Sequence, residues 1–523
     1  MTTMLARPPC DAGAILGGSV EAVCSPRTGR WVLAATILAS SMVFIDSSAV
    51  NVALPVLQQS LDASATEVQW VVEIYMLLLA ALILVGGALG DRLGRRRVFV
   101  WGVCIFALAS VWCGLAPDPA QLIGARAVQG IGGALLVPGS LAIISASFDE
   151  ASRGAAIGTW SGATAITAAA GPVVGGWLAG HASWRWVFLL NIPLAVAVLL
   201  ITVTRVPESR DPAATGQLDW AGAAVSVGAL GLLVYGLIES PNLGFAHPLV
   251  LTTIAAGVLL WGAFIKVESS VRAPMMPLDM FTSRRFTGAN LLTLFLYGAL
   301  GGALFFVPFN LIQVQDYTPA QAGAAWLPFI LIIAALSRWI GTLVPVVGAR
   351  VLLVTGPLIT AAGFLLAALP GAGGRYWTTF FPAFVVMGLG MAVAVAPLVT
   401  VVMGSVESRR AGVASGINNA VSRAAGLLGL AVMGVLVLTV SNPELDRLLA
   451  STQVRPAVVE QLVQIGVGLA AATIPATATP QEARELNAAI DDSFVAGFRS
   501  AMVTAAGLAA ASALVAAVTI KRG

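Results

Sequence analysis

Long apolar runs alternate with short polar breaks along almost the whole chain. A helix needs about 20 apolar residues to cross a hydrocarbon core of roughly 30 Å. Fourteen runs reach that length, at about 31–56, 68–89, 98–116, 120–144, 154–180, 184–204, 218–238, 247–267, 286–312, 319–340, 350–370, 376–402, 411–437 and 495–519. They do not alternate polar and apolar residues, so they predict spanning helices and not barrel strands. Span 14 is rich in alanine and gives the weakest hydropathy signal.

Composition agrees with this pattern: 58% of residues are hydrophobic, 10% are charged, and mean hydropathy is +0.90. Most charge must then sit between spans, and its distribution reports orientation. With the N-terminus placed inside, 20 of the 28 Lys and Arg residues fall on the inner side. Short outer loops hold only Arg185 and Arg375. Both termini are therefore expected in the cytoplasm of a multi-pass cell (inner) membrane protein. The small net charge of +3 reflects this topology, and no nucleic-acid partner is implied. Cys10, Cys24, Cys104 and Cys113 show neither a disulfide framework nor metal spacing.

An internal repeat is visible. Gly87-Ala-Leu-Gly-Asp91-Arg92-Leu-Gly94-Arg95-Arg96 follows span 2, and Gly341-Thr-Leu-Val-Pro345-Val-Val-Gly348-Ala-Arg350 follows span 10. Arg153-Gly154-Ala-Ala-Ile-Gly158 opens span 5, and Ala411-Gly412-Val-Ala-Ser-Gly416 opens span 13. Two matches at nearly one offset predict two parallel six-helix repeats. The reading gives a tail at 1–30, a first bundle at 31–204, and linkers with an inserted helix pair at 205–285. A second bundle follows at 286–523, and it includes a long outer segment at 438–494 expected to form a packed hairpin.

Ionisable groups inside spans cost roughly 2.5–3.5 kcal/mol each, so they tend to carry function. Asp46 lies past the middle of span 1. An acid there is neutral when buried and charged when hydrated or paired, as a proton carrier must be. Glu73 in span 2 is a second proton site, a counter-ion for a cation, or an acid at the outer rim. Arg126 in span 4 shares a stripe with Gln129, Gly130 and Gly133, and its fixed charge can favour the ionised form of a nearby acid. The polar residues assigned to a substrate cavity are Asp46, Glu73, Asn51, Asn310, Asn418 and Arg423.

The charged knot reads as a latch: Asp91 could meet the positive end of a facing helix, with Gly87, Arg92, Gly94, Arg95 and Arg96 around it. The arginines could also pair with lipid phosphates. Gly154, Gly158 and Gly162 form a ridge of missing side chains in span 5, which then bends at Gly171-Pro172 before Gly175 and Gly176. No phosphate-binding loop and no metal-ligand cluster occurs, and neither His181 nor His247 has a partner. Enzymology, cofactors and ATP hydrolysis are not expected.

Five segments in order resemble the major facilitator superfamily, in particular its fourteen-helix drug:proton antiporters of the QacA/EmrB type. They are Phe44-Ile-Asp46-Ser-Ser-Ala-Val-Asn51-Val-Ala-Leu-Pro55, the knot at 87–97, Arg126-Ala-Val-Gln129-Gly130-Ile-Gly-Gly133, Gly171-Pro172-Val-Val-Gly175-Gly176, and Trp184-Arg-Trp-Val-Phe-Leu-Leu-Asn191-Ile-Pro193. The resemblance implies an all-α facilitator fold with proton coupling at Asp46, assisted by Arg126, and export through the helix motif around Gly171. Glu73 departs from the family pattern by adding an acid, and Thr167 stands where a glycine is common. The second knot also lacks its acid.

The expected activity is proton-coupled export of bulky apolar compounds with at most one positive charge, because the C-terminal spans contain no carboxylate. A narrow metabolite exporter or importer is the alternative, and a non-transporting sensor or scaffold is a further one. The expected partners are a small-molecule substrate, protons and membrane lipids, with a periplasmic adaptor only in a host that has an outer membrane.

Overall fold

In the computed structural model, apolar length becomes helix throughout. It describes residues 26–148, 150–210, 219–271, 274, 276–406, 411–465 and 474–520. The expectations for Cys10, Cys24 and the first part of the tail lie outside these residues. What Arg153, Gly154, Gly158 and Gly412 pack against is likewise outside the description.

Among the described residues, fourteen helices are long and apolar enough to cross a membrane. The first six spans are α1 (Pro26–Leu61), α2 (Ala65–Leu93), α3 (Arg95–Leu115), α4 (Pro119–Ser147), α5 (Glu150–His181) and α6 (Arg185–Arg205). The inserted pair is α7 (Trp220–Leu243) and α8 (Pro248–Ser270). Then come α9 (Arg284–Val314), α10 (Pro319–Ala325 continued by Leu327–Val347), α11 (Ala349–Ala367), α12 (Phe380–Gly404) and α13 (Ala411–Ser451). A short α14 (Pro456–Ile465) precedes the last span, α15 (Pro480–Thr519).

Local chemistry sets the ends. Ser64 and Glu67 form a reciprocal capping box that starts α2, and Asp118 caps α4 by accepting from Gln121 N. Gly94 and Gly348 hold the same place in the two knots and share positive φ, +110° and +86°. Only glycine enters that region without strain, so the repeat is legible in the backbone as well. In α9 the regular ladder breaks at Phe306, before Pro308, and a wide turn covers Asn310–Val314.

Helices α1 to α6 pack on one another, with α4 touching α1, α2 and α3. Helices α9, α11, α12, α13 and α15 pack together likewise, and α10 lies on α12. The groups meet along two seams, α2 with α13 and α5 with α10. Helix α7 lies over the first seam. Leu77 and Ala81 of α2, Leu230, Val234 and Ile238 of α7, and Leu427 and Ala431 of α13 share one buried cluster.

The outer segment is helical for most of its length. Polar residues do not stop α13 at 437, and α15 begins well before 495. With α14 they form a hairpin around Leu445, Leu449, Val458, Leu462, Leu486 and Ile490. Arg455 braces it by donating to Glu482 at 2.7 and 2.9 Å.

Candidate functional site

Asp46 of α1 is the centre of a closed polar network inside the first helix group. Its Oδ2 accepts from Arg126 Nη1 at 2.5 Å, and neither side chain is exposed by more than 1%. Oδ1 accepts from Gln129 Nε2 at 2.9 Å and from Asn191 Nδ2 at 3.3 Å. Arg126 also donates to Gln129 Oε1 at 2.7 Å and, through Nε, to Val71 O at 3.1 Å. Ser110 of α3 receives Gln129 Nε2 at 2.9 Å and Asn191 Nδ2 at 3.3 Å. The ring of Tyr75 lies 4.0 Å from the guanidinium carbon, a cation–π distance. Four helices beside α1, namely α2, α3, α4 and α6, thus converge on the network around one carboxylate.

This geometry follows from spacing. Arg126 and Gln129 are three residues apart and share one helix face. Gly130 and Gly133 let α2 approach that face; a Cβ on Gly130 would lie 2.7 Å from Tyr75 O. Asn191 reaches inward from the resumption of α6 after Leu190. Gln129 and Asn191 stand inside the motifs read from the sequence. As neutral amides they carry no obvious cost signal, and Ser110 and Tyr75 carry none.

The remaining candidates separate. Asn51 lines a cavity of about 320 Å³ between α1, α5 and α10, with Ser48, Pro172, Trp326, Phe329 and Ile333. Asp46 and Glu73 do not line it, contrary to expectation: Asp46 is turned into its own helix group, and Glu73 is fully buried and not at a rim. Neither Glu73 oxygen has a hydrogen-bond partner. Its neighbours one turn away, Gln69 and Met76, face α13 at Gly434 and Gly426. Asn310 is buried in the break of α9 and accepts from Gln315 Nε2 at 3.2 Å. Asn418 donates to Asn290 at 3.1 Å and Thr293 at 2.7 Å. Arg423 lies on α13, with its Nε buried and unpartnered.

The knot also differs from expectation. Asp91 pairs with Arg95 of its own turn at 2.8 Å and meets no facing helix among the described residues. Glu208 takes the place at a helix N-terminus, accepting from Arg96 N at 2.9 Å and Arg97 N at 3.2 Å. Gly94 is needed there because a Cβ would lie 2.8 Å from the Glu208 carboxylate. Gly87 faces Pro138 within the same helix group. The described contacts of Arg96 stay with Val206 and Glu208, so they do not reach the second group.

The opposite end of the molecule is sealed. Gly175 packs directly on Ala49 of α1, Gly176 on Pro319 O, and Gly323 on Pro172 O, leaving no room for a Cβ. Gly171 is closed off by Ser48. Gln313 Nε2 reaches Gln58 Oε1 at 3.5 Å across the same end. Among the described residues Gly162 meets nothing within 4 Å, so the ridge expected in α5 has no described packing partner at that point.

Comparison with known proteins places this geometry. The sequence profile described as Major Facilitator Superfamily matches residues 36–430. A tetracenomycin C resistance and export protein of Streptomyces glaucescens is 33% identical over 94% of this chain and 91% of its own length. The multidrug resistance protein Stp of Mycobacterium tuberculosis is 35% identical over 92% and 90%. A puromycin resistance protein of Streptomyces alboniger is 35% identical over 78% and 81%. Among solved structures, a bacterial homologue of the human lysosomal transporter Spinster, inward-facing and unoccupied, aligns with a TM-score of 0.66. It is 19% identical and covers 96% of this chain and 99% of its own, a likeness of fold. With fourteen membrane-length helices among its described residues, packed in two groups, and that profile matched over most of its length, the chain belongs to the major facilitator superfamily.

Proposed function

We propose that the protein is a proton-coupled exporter of drug-like compounds, working by alternating access in the cell membrane. The observation that carries the coupling is the sealed Asp46–Arg126 pair. The buried carboxylate accepts from a guanidinium and two amide donors, contacts that a proton on it would undo. Protonation of Asp46 frees Arg126, Gln129 and Asn191 to rearrange, and loss of the proton restores the network. Because those groups come from α4 and α6, the proton changes the packing of the helix group and not one side chain alone.

The cargo enters at the seams. The cavity beside Asn51 is mostly apolar, with two aromatic rings, and suits a bulky apolar body. Glu73 supplies a second ionisable group at the α2–α13 seam. An unpartnered buried charge is expensive, so the group is neutral or faces a cationic cargo. In the conformation described, Gly176 and Gly323 close the end away from the knot. With the knot placed on the cytoplasmic side, this is the state that takes up cargo from inside.

The names of the relatives support drug or antibiotic export. An importer of a metabolite has no such support. A susceptibility panel in an efflux-deficient host tests the reading. The chain should raise resistance to several bulky apolar drugs, and Asp46→Asn at equal expression should abolish it. Full resistance from Asp46→Asn would overturn the coupling role.

A further inference from the structure

The α2–α13 seam closes over an acid with no counter-charge. Gln69, Glu73, Met76 and Leu77 are three or four residues apart and share one face of α2. On either side of Glu73 that face is packed on α13. Gly434 lies against the Gln69 amide, Gly426 lies against Met76, and Leu77 joins Leu427 and Ala431 in the buried cluster under α7. Gln69 Nε2 is turned across the seam and donates to Leu430 O at 3.4 Å. Glu73 is left fully buried, with neither carboxyl oxygen partnered.

The ionisable groups of the surrounding helices do not reach it. Arg423 of α13 lies past Gly426, nearer the knot, and gives Glu73 no hydrogen bond. Tyr235 of α7 sits against Trp70, with 6.1 Å between ring centres, and Glu239 follows one turn on. Arg126 of α4 and Asp46 of α1 engage each other on the opposite side of α2, where Val71 O and the Tyr75 ring meet the guanidinium. Cys113 of α3 is on that side too, facing Gln129 at 3.7 Å. None of these donates to Glu73 among the described residues.

A carboxylate without water or donors costs far more than the neutral acid. The sealed seam therefore holds Glu73 with its proton on. Position along α2 decides which water supplies that proton. Glu73 is nine residues, about 14 Å, from the Ser64 cap at the sealed end, and twenty-one residues, about 32 Å, from Gly94 in the knot. Opening of the sealed end parts α2 from α13 at this level and admits outer water.

We propose that Glu73 is a proton lock on the outer gate. The seam closes once the carboxylate has taken a proton from outer water, and the proton returns to outer water when the seam reopens and the ion is hydrated. This rests on the exporter reading and adds a role separate from that of Asp46. The proton on Asp46 crosses the membrane in each cycle, whereas the one on Glu73 enters and leaves on the same side. It makes closure behind released cargo depend on outer acidity, and so on the gradient that drives export.

Spin labels on cysteines at Gln58 and Gln313 report sealing as a short distance, in the full-length carrier in lipid nanodiscs with its four native cysteines changed to alanine. Asp46→Asn with Arg126→Gln removes the other titrating pair. In that background the ratio of sealed to open carrier should fall as pH rises from about 5 to about 9, by about tenfold per unit at its steepest, the slope of one linked proton. Adding Glu73→Gln or Glu73→Met should flatten the profile and keep the gate sealed at high pH, while Glu73→Asp should keep the slope. A profile equally steep in Glu73→Gln and Glu73→Met overturns the proposal, as does a seal that ignores pH before Glu73 is changed. The exporter reading is judged apart, and falls only if the unaltered carrier in liposomes couples no drug movement to protons.

Discussion

Asp46 Oδ2 and Arg126 Nη1 meet at 2.5 Å in a site from which both side chains are excluded from solvent. Breaking one partner of such a pair strands the other charge, which costs about 3–5 kcal/mol, whereas removing both costs much less. Asp46→Asn is therefore expected to lower the melting temperature of the purified protein markedly. Asp46→Asn combined with Arg126→Gln should recover most of that loss while staying inactive in transport. A double variant no more stable than the single ones would show that the pair is not the coupled unit described.

The glycine seal makes a second prediction. Gly176 and Gly323 meet backbone atoms of the opposite helix, so a larger residue forces α5 and α10 apart. Overpacking costs about 1–3 kcal/mol, enough to shift the balance of open and closed states about tenfold. Cysteines placed at Gln58 and Gln313 report closure by cross-linking, since those side chains touch in the sealed state. Gly176→Val should reduce the cross-link about tenfold. An unchanged yield would mean that the contact does not gate.

Two glycines with like backbones should differ in tolerance. Gly94 and Gly348 both have positive φ, but a Cβ at Gly94 meets the Glu208 carboxylate at 2.8 Å, while one at Gly348 meets nothing within 4 Å. Gly348→Ala should cost only the backbone strain, about 1–3 kcal/mol. Gly94→Ala should cost more, because Glu208 must also leave Arg96 N and Arg97 N. Thermal melting of the two variants side by side checks the order.

The hairpin beyond the spans gives a pH prediction. Arg455 and the Thr479 backbone hold the Glu482 carboxyl well below the usual carboxylate range. With the folded value below the unfolded one, the unfolded chain binds more protons on acidification. The contribution is then complete above the unfolded value near pH 4.3 and fades as pH falls below it. Glu482→Gln should remove this dependence, so that protease protection of the 452–465 segment varies less between about pH 7 and pH 3 than in the unaltered protein. An unchanged acid sensitivity would place its origin elsewhere.

How much of this was legible in the chain differs by element. Runs of about twenty apolar residues had no alternative to helix, so the fourteen spans could be placed by length. The extensions of α13 past Asn442 and of α15 back to Pro480 were hidden, because there the helices are amphipathic and pack on each other. Asp46 and Arg126 stood out as charges in apolar helices. Their amide partners did not, since a neutral side chain in a span is common. Asp91 was misplaced for a different reason. The acid at the α3 N-terminus is Glu208, more than a hundred residues away in sequence, and only the folded chain brings that linker back to the knot.

Proton movement driven by drug, measured in liposomes holding the purified carrier with a pH-sensitive dye in the lumen, tests the central claim most directly. Addition of an exported drug should release protons in the direction opposite to drug flow, with a rate that scales with the drug gradient, and Asp46→Asn should show none. Drug transport that continues undiminished without any pH change in the lumen, or an Asp46→Asn protein that exchanges protons as well as the unaltered one, would contradict the account.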